Sequence, residues 1–195
     1  LMPAAQIERV LQISDKLVLI DETYFEFSGI TYKDWIAKYP NLLITRSFSK
    51  AFSAAGLRFG YLISSAANIT QLKKVITAFN LSLMTQTIVL TILENRQIFL
   101  DHTQKVVQMR NYLCAELNKI PGLQATNTQT NFLILTIGEK TRELFDFLSE
   151  NEIALRDVGA HPVMKNQIRV TISAPAENEL FLSKVREFMI EEEIR

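Results

Sequence analysis

The sequence predicts an α/β protein, and three observations support this. Three short apolar runs in the first third, over 17–20, 42–45 and 59–63, have the length of buried strands. Helix-like segments alternate with them and continue to about residue 119. After Gly122 the order becomes strand, helix, strand, strand, helix, which suits a small α+β domain. We therefore predict two domains, 1–121 and 122–195.

The remaining elements follow from periodicity and from capping residues. A long helix is expected over 83–119, with Ser82 as its cap and Pro121-Gly122 as its stop. Pro175 is placed to begin the closing helix. The predicted helices are 7–13, 31–39, 68–79, 83–119, 140–151 and 176–190, and the later strands are 132–137, 153–156 and 167–172.

Composition excludes several classes of protein. The 195 residues carry 21 basic and 21 acidic side chains, with no basic patch that indicates nucleic-acid binding. The single cysteine, Cys114, excludes a disulfide framework and is expected to be a packing residue. The two histidines lack metal-ligand spacing, so we predict no metal site.

One stretch of the sequence resembles a membrane segment. Residues 75–93 carry no charge, but they include an asparagine, a serine, a glutamine and four threonines. Too many of those polar groups would be unpaired in lipid, so we predict a buried helix of a soluble protein. The first residues lack the pattern of a signal peptide, and a cytoplasmic location is expected.

Lys50 is the candidate with the most informative surroundings. It follows an apolar run and the hydroxyls of Ser47 and Ser49, and it precedes Arg58 by eight residues. An amine that can form a Schiff base and donors suited to a phosphate therefore lie close together in sequence. Pyridoxal 5'-phosphate requires such a pair, because a lysine holds its aldehyde carbon while other groups hold its phosphate.

A second segment fits the same cofactor. The apolar run 17–20 ends in Asp21-Glu22-Thr23-Tyr24. An aspartate at the end of a buried strand can keep the pyridine nitrogen protonated, so that the ring withdraws electrons from the substrate carbon. Tyr24 can donate to the ring's phenolate oxygen. The alternatives are that Asp21 only caps a helix and that Tyr24 only fills the core.

Together these segments resemble a known family. Asp-Glu-x-Tyr at 21–24, followed by Ser-x-Ser-Lys-x-Phe-x-x-Ala-Gly-Leu-Arg-x-Gly-Tyr at 47–61, is similar to fold-type I pyridoxal-phosphate-dependent aminotransferases, above all those acting on histidinol phosphate. The resemblance covers the chain but only the C-terminal half to two-thirds of such an enzyme. It implies part of that fold's large domain, followed by its small α+β domain.

The resemblance also implies roles for individual residues. Lys50 would be the catalytic lysine, and Arg156 and Arg169 would bind the substrate's anionic groups, with Asn131 at the edge of the site. The alternative for Arg156 is a salt bridge to Asp157 or another nearby acid. The family pattern has other residues at Phe48 and at Ser53-Ala54, which are not ligand positions. The implied cofactor ligands are Asp21, Tyr24, Ser47, Ser49, Lys50 and Arg58.

The activity implied is transfer of an amino group. Histidinol phosphate and 2-oxoglutarate would give imidazole acetol phosphate and glutamate, in histidine biosynthesis, with a homodimer as the expected assembly. One alternative is another enzyme on this scaffold, either an aromatic or broad-range aminotransferase or an amino-acid-phosphate decarboxylase. The other is an inactive fragment that only folds or dimerises.

Overall fold

The computed structural model describes residues 1–194, with side chains described to residue 190. Internal contacts divide this chain into two compact units. The N-terminal unit runs from Leu1 to Thr103, and the C-terminal unit begins at Gln104. The division falls inside a long helix, and the predicted domain boundary at 121/122 stays a prediction.

The N-terminal unit is built on a three-stranded sheet in the order β1-β2-β3. The strand predictions are confirmed to within two residues at each end. The helices are α1 (Ala4–Ile13), α2 (Phe25–Ser28), α3 (Ala66–Leu72), α4 (Leu83–Glu94) and α5 (Arg96–Leu117), which continues into the second unit; the strands are β1 (Val18–Asp21), β2 (Leu42–Ser47) and β3 (Gly60–Ser64).

The direction of these strands decides where their ends meet. β1 and β2 are parallel, with Val18 opposite Leu42, and β3 is antiparallel to β2. The central strand is the most buried, because Leu42 and Ile44 pack against Ile7 and Leu11 of α1. The carboxyl ends of β1 and β2 and the start of β3 therefore lie at one edge of the sheet.

The prediction of a buried helix over 75–93 is wrong for 75–82 and for most of the burial, whereas the helix predicted from residue 83 is confirmed. Helix α3 ends at Leu72 rather than at residue 79, and α4 begins only at Leu83. Most of the apolar side chains of this stretch are exposed, including Leu83 at 78% and Met84 at 73%, while Val89 and Ile92 are buried. Within the part of the chain described, no helix has the length and apolar character needed to cross a membrane.

The long helix predicted over 83–119 is divided into α4 and α5. Asn95 separates the two, and its side-chain amide donates to the Thr91 carbonyl at 2.9 Å. Asparagine often competes in this way with helical backbone bonds. The predicted cap is confirmed, because the Ser82 hydroxyl accepts a hydrogen bond from the Thr85 amide.

The C-terminal unit contains a four-stranded antiparallel sheet in the order β4-β5-β7-β6. Strand β4 was not predicted, and β6 is shorter and later than the predicted strand 153–156. The closing helix begins at Pro175 as expected. The elements are β4 (Gln124–Asn127), β5 (Phe132–Thr136), α6 (Thr141–Glu150), β6 (Arg156–Asp157), β7 (Ile168–Thr171) and α7 (Pro175–Ile194).

One face of this sheet packs against helices to form the core of the unit. Leu133 and Leu135 of β5 are fully buried with Leu144 and Leu148 of α6. Cys114 lies in the same cluster, and burial raises the pKa of its thiol. Cys114 is therefore a buried neutral thiol in the core, as the sequence predicts.

Candidate active site

The predicted cofactor residues cluster at the carboxyl edge of the first sheet. Asp21 is the last residue of β1 and lies opposite Thr45 of β2. Ser47 ends β2 and lies opposite Gly60, the first residue of β3. In sheets with parallel strands, ligands bind outside the carboxyl ends of those strands. The topology therefore brings Asp21, Tyr24, Ser47, Ser49, Lys50 and Arg58 to a position where a ligand can bind.

Lys50 lies in the turn that follows β2 and is half-buried. Its Nζ lies 5.9 Å from the centroid of the Tyr24 ring, so the structure brings these two predicted residues together. No described residue forms an ion pair or a hydrogen bond with the Lys50 amine, which leaves the amine free to react.

Aromatic packing fixes the turn that carries Lys50. Phe48 is 3% exposed and stacks on Phe52, with ring centroids 4.5 Å apart. The edge of Phe59 meets Phe48 at 4.9 Å. Phe48, which differs from the family pattern, is thus a core residue. The buried rings anchor both sides of Lys50, so its side chain leaves a rigid turn.

Asp21 closes a turn immediately after β1. Its Oδ1 accepts hydrogen bonds from the amide of Thr23 at 2.9 Å and from the Thr23 hydroxyl at 2.5 Å. The cap residue of α2 is Tyr24, which makes no side-chain capping bond, so Asp21 does not cap that helix. Among the residues described, none donates to Oδ2, which leaves this oxygen available to a cationic nitrogen.

The three predicted phosphate ligands lie around the turn between β2 and β3. The Ser47 hydroxyl accepts a hydrogen bond from the amide of Ser49 at 3.1 Å. Arg58 is exposed, and its guanidinium donates to the Ala55 carbonyl at 3.0 Å. It has no carboxylate partner in the described chain. Its φ of +51° is left-handed, a conformation in which non-glycine residues are uncommon.

Gly60 lets β3 approach β2 closely at this edge. A Cβ on Gly60 would lie 2.9 Å from the carbonyl oxygen of Arg46, which is closer than real Cβ atoms come. Glycine at this position is therefore a requirement of strand pairing. Because Gly60 follows Arg58 by two residues, the pairing also determines where the Arg58 backbone lies.

Glu22, for which the sequence predicts no chemical role, forms a buried ion pair with Arg46. Glu22 is 6% exposed, and its Oε2 accepts a hydrogen bond from Arg46 Nη2 at 2.9 Å. The alternation of side chains along a strand could have indicated that Arg46 is buried, since Arg46 shares the buried face of β2 with Ile44. No local pattern, however, identifies Glu22 as its partner.

The predicted substrate residues Asn131, Arg156 and Arg169 lie in the C-terminal unit. Arg156 of β6 is the cross-strand partner of Arg169 of β7. Paired positions project to the same face of a sheet, so two positive charges are placed side by side. Asp157 does not compensate Arg156, because its carboxylate accepts from Arg142 at 3.3 Å and from the Gly159 amide at 2.7 Å.

Arg169 and Asn131 both carry buried polar atoms without partners. The Arg169 guanidinium lies 4.4 Å from the centroid of the Phe132 ring. Its Nε is buried and has no hydrogen-bond partner among the described residues, and the same is true of Asn131 Oδ1. Buried polar atoms are normally hydrogen-bonded. Arg110 Nε is a third such atom among the described residues. Of the three, Arg169 Nε belongs to the sheet face that also carries Arg156, so this face can accommodate a polar ligand.

Two further observations limit the kind of site. Residues 1–190 contain no group of histidine, cysteine, aspartate and glutamate side chains that could hold a metal ion. Within the N-terminal unit, the cluster provides an amine, a carboxylate and a guanidinium without a carboxylate partner in the described chain, which suit amine reactivity and anion binding. The sheet of the C-terminal unit, taken by itself, carries two arginines suited to anion binding.

Comparison with known proteins supports this view. Histidinol-phosphate aminotransferase 1 of Carboxydothermus hydrogenoformans is 34% identical over 175 residues, which are 90% of this chain and 49% of that protein. The chain thus spans about half the length of the curated relatives it matches.

Solved structures share the fold. Histidinol-phosphate aminotransferase from Sinorhizobium meliloti, solved in complex with pyridoxal 5'-phosphate, matches with a TM-score of 0.82 at 24% identity, over 97% of this chain and 54% of that one. L-threonine-O-3-phosphate decarboxylase from Porphyromonas gingivalis matches with a TM-score of 0.81 at 23% identity, over 97% and 60%. These neighbours confirm the predicted α/β class.

The family is identified by a model that matches most of the chain. The model for aminotransferase class I and II covers residues 1–185, which include the whole cofactor-side cluster and both arginines of the second sheet. The chain belongs to the class I and II aminotransferases.

Proposed function

We propose that this chain carries the lysine half of a pyridoxal-phosphate-dependent aminotransferase site. The observation that carries the proposal is the grouping of Lys50, Tyr24 and Asp21 at the carboxyl edge of two parallel strands. The Lys50 amine is free, and Asp21 has one carboxylate oxygen without a partner in the described chain. These are the groups that the cofactor's aldehyde carbon and ring nitrogen require.

The residues present fit the cofactor. Arg58 would hold the phosphate with its uncompensated guanidinium, supported by the hydroxyls of Ser47 and Ser49. Asp21 would hold the pyridine nitrogen, and Tyr24 would donate to the ring's phenolate oxygen. When bound, the cofactor supplies an electron sink for negative charge at the substrate carbon.

Lys50 would have two roles. It would hold the cofactor covalently through Nζ, and the same nitrogen would take the proton from the amine-bearing carbon of the substrate. The buried rings of Phe48 and Phe52 support both roles, because they restrict the turn and therefore the volume that Nζ can reach.

We propose that the substrates are histidinol phosphate and 2-oxoglutarate, with imidazole acetol phosphate and glutamate as products. The name of the Carboxydothermus hydrogenoformans relative supports this choice. The cross-strand pair of Arg156 and Arg169 supports an anionic substrate, since a guanidinium binds either a phosphate or a carboxylate. Asn131 would contribute its unpaired oxygen at the edge of that site.

Other assignments on this scaffold predict different products. An aromatic or broad-range aminotransferase would accept donors without a phosphate, and an amino-acid-phosphate decarboxylase would release carbon dioxide. The fold does not separate these activities, because the Porphyromonas gingivalis decarboxylase shares it. A homodimer and a cytoplasmic location remain predictions of the sequence.

Reductive trapping tests the proposal on the 195-residue chain. Pyridoxal 5'-phosphate followed by borohydride fixes the cofactor on every lysine that has formed a Schiff base, so the rates of labelling at the individual lysines are compared. We expect the label on the peptide that contains Lys50, loss of that label in Lys50→Ala, and no loss in Lys73→Ala, an exposed lysine of the same unit. Label distributed over the other lysines instead would refute the assignment.

Product analysis then separates the activities. Glutamate formed from 2-oxoglutarate and histidinol phosphate supports the proposed reaction, and carbon dioxide released from an amino-acid phosphate supports a decarboxylase. Labelling of Lys50 without turnover of any donor would mean that this chain by itself binds the cofactor but is inactive.

A further inference from the structure

The carboxylate of Glu22 is held by an unusually complete set of donors. Oε1 accepts a hydrogen bond from the Tyr32 amide at 2.7 Å. Oε2 accepts from the Thr31 hydroxyl at 2.8 Å, and from Arg46 Nε and Nη2 at 3.1 and 2.9 Å. Because these contacts satisfy both oxygens and the side chain is buried, Glu22 has no oxygen left for a ligand.

Arg46 is fixed from several sides as well. Its Nη2 also donates to the Thr31 hydroxyl at 2.7 Å, and its guanidinium carbon lies 3.7 Å from the centroid of the Phe25 ring. Burial acts to lower the pKa of Arg46, but hydrogen bonds with Glu22 and Tyr61 outweigh it, so the pKa is raised. Arg46 therefore keeps its positive charge in this buried position.

This ion pair joins the two segments that carry the proposed cofactor residues. Glu22 directly follows Asp21 and precedes Tyr24 by two residues, while Arg46 directly precedes Ser47 and lies four residues before Lys50. The backbone connection between the segments ends at the bond from the Glu22 amide to the Thr45 carbonyl, at 2.9 Å. Beyond that bond, the described contacts between the turn 22–24 and the end of β2 are made by side chains.

We infer that Glu22 and Arg46 are positioning residues, whose ion pair holds the turn bearing Asp21 and Tyr24 in register with the end of β2, from which the turn bearing Lys50 begins. This inference rests on the proposed cofactor function. A buried ion pair is weak evidence for stability, because desolvation of the two charges offsets their attraction. A role in geometry accounts for its placement, since Glu22 is the chain neighbour of Asp21 and Arg46 lies four residues before Lys50.

Amide hydrogen exchange tests the inference without any cofactor. Glu22→Gln should accelerate exchange of the Tyr32 amide and of the turn 22–24 by about tenfold or more, while the amide of Ile44 in the centre of the sheet keeps its rate. The matched control is Glu8→Gln, which breaks the ion pair of Glu8 with Lys38 in the same unit. Equal acceleration throughout the unit in Glu22→Gln would overturn the inference, because it would show a loss of general stability.

Trapping at Lys50 tests the consequence for chemistry. A misplacement near one ångström costs up to about a hundredfold in rate. We therefore expect Glu22→Gln and Arg46→Lys each to label Lys50 about ten to a hundred times more slowly. The pH midpoint of labelling should also move, and the double variant should be no slower than the slower single one. Glu8→Gln should label like the original chain.

The outcomes separate this inference from the proposed function. If the original chain does not label Lys50, the proposed function fails, and the exchange experiment alone decides whether the pair holds the turn. If it labels Lys50 and both variants label with the same rate and pH profile, the positioning role is refuted while the function stands. Should Glu22→Gln fail to fold, Arg46→Lys, which keeps the charge but loses the fork, provides the same comparison.

Discussion

Replacement of Arg156 by glutamine should stabilise the C-terminal unit when no anion is present and weaken its response to phosphate. Arg156 and Arg169 occupy opposite positions of β6 and β7, and neither has a carboxylate partner in the described chain. Like charges placed opposite each other in a sheet are destabilising, and we take the size of the effect from opposite-charge pairs, which contribute roughly 0.2–1 kcal/mol. The variant should therefore gain about that amount of stability in a buffer without phosphate or sulfate.

Phosphate should make the original chain more stable than Arg156→Gln, which reverses their order of stability without phosphate. At a phosphate concentration of 100 times Kd, binding stabilises the original chain by about 2.7 kcal/mol. A hydrogen bond to a charged group contributes about 1.5–3 kcal/mol, so loss of one guanidinium raises Kd by about 13 to 160 times. At the same phosphate concentration the variant then gains only about 0.3–1.3 kcal/mol.

Native-state hydrogen exchange of β5 and β7 measures this, because it reports the free energy of opening for that unit alone. The matched control is Arg142→Gln, since Arg142 is an exposed arginine of the same unit that is already paired with Asp146 and Asp157. That control should leave the phosphate response unchanged. A loss of stability in Arg156→Gln without phosphate, or an equal phosphate response of both variants, would contradict this expectation.

Three further predictions concern the fold around the sites. Gly60→Ala should destabilise the N-terminal unit by about 1 kcal/mol or more, measured by urea unfolding, because its Cβ would collide with the Arg46 carbonyl; a stable variant would show that the strands separate easily. Burial raises the pKa of Glu26 above its ordinary value of 4.5. The stability it contributes is therefore complete below pH 4.5 and is lost as pH rises through the raised pKa, so Glu26→Gln should flatten that part of a pH–stability curve. Leu148→Ala should cost the C-terminal unit about 2–5 kcal/mol in the exchange measurement, since Leu148 is fully buried, and a loss below 1 kcal/mol would contradict its place in the core.

The ends of the three strands could be predicted from the sequence because they depend on local chemistry. An apolar run that stops at Asp21 or at Ser47 marks the place where a strand leaves the core. The local pattern does not show which strand ends are neighbours. The parallel arrangement of β1 and β2 does, because it places the carboxyl ends of both strands at one edge of the sheet. Lys50 was thus predictable as a candidate, and its approach to Tyr24 required the fold.

The stretch 75–93 was mispredicted because composition describes a segment and not its neighbours. An uncharged run with few strong helix breakers is expected to be buried, whereas α3 already ends at Leu72 and much of α4 is exposed. The break at Asn95 is equally hard to foresee, since asparagine is only modestly unfavourable inside a helix. Burial of the stretch 75–93 and the helix break at Asn95 both depend on tertiary contacts, and the periodicity of the sequence does not report those contacts.

Arg46 and Arg169 show why the sequence alone could not separate a structural arginine from a candidate ligand. Each lies in a strand among apolar residues, and each guanidinium stacks on an aromatic ring, at 3.7 Å from Phe25 and 4.4 Å from Phe132. The difference lies in the opposing charge. Arg46 meets the carboxylate of Glu22, which comes from a segment 24 residues away.

Arg169 instead lies opposite a second arginine, and its Nε has no partner among the residues described. The fold thus neutralises Arg46 and leaves Arg169 beside a like charge. We propose that an anionic group would complete both the hydrogen bonds and the charge balance at Arg169, whereas at Arg46 the protein itself has already done so. The pairing of charges across strands, which only the folded chain reveals, therefore separates Arg46, which we propose as a positioning residue, from Arg169, which we propose as an anion ligand.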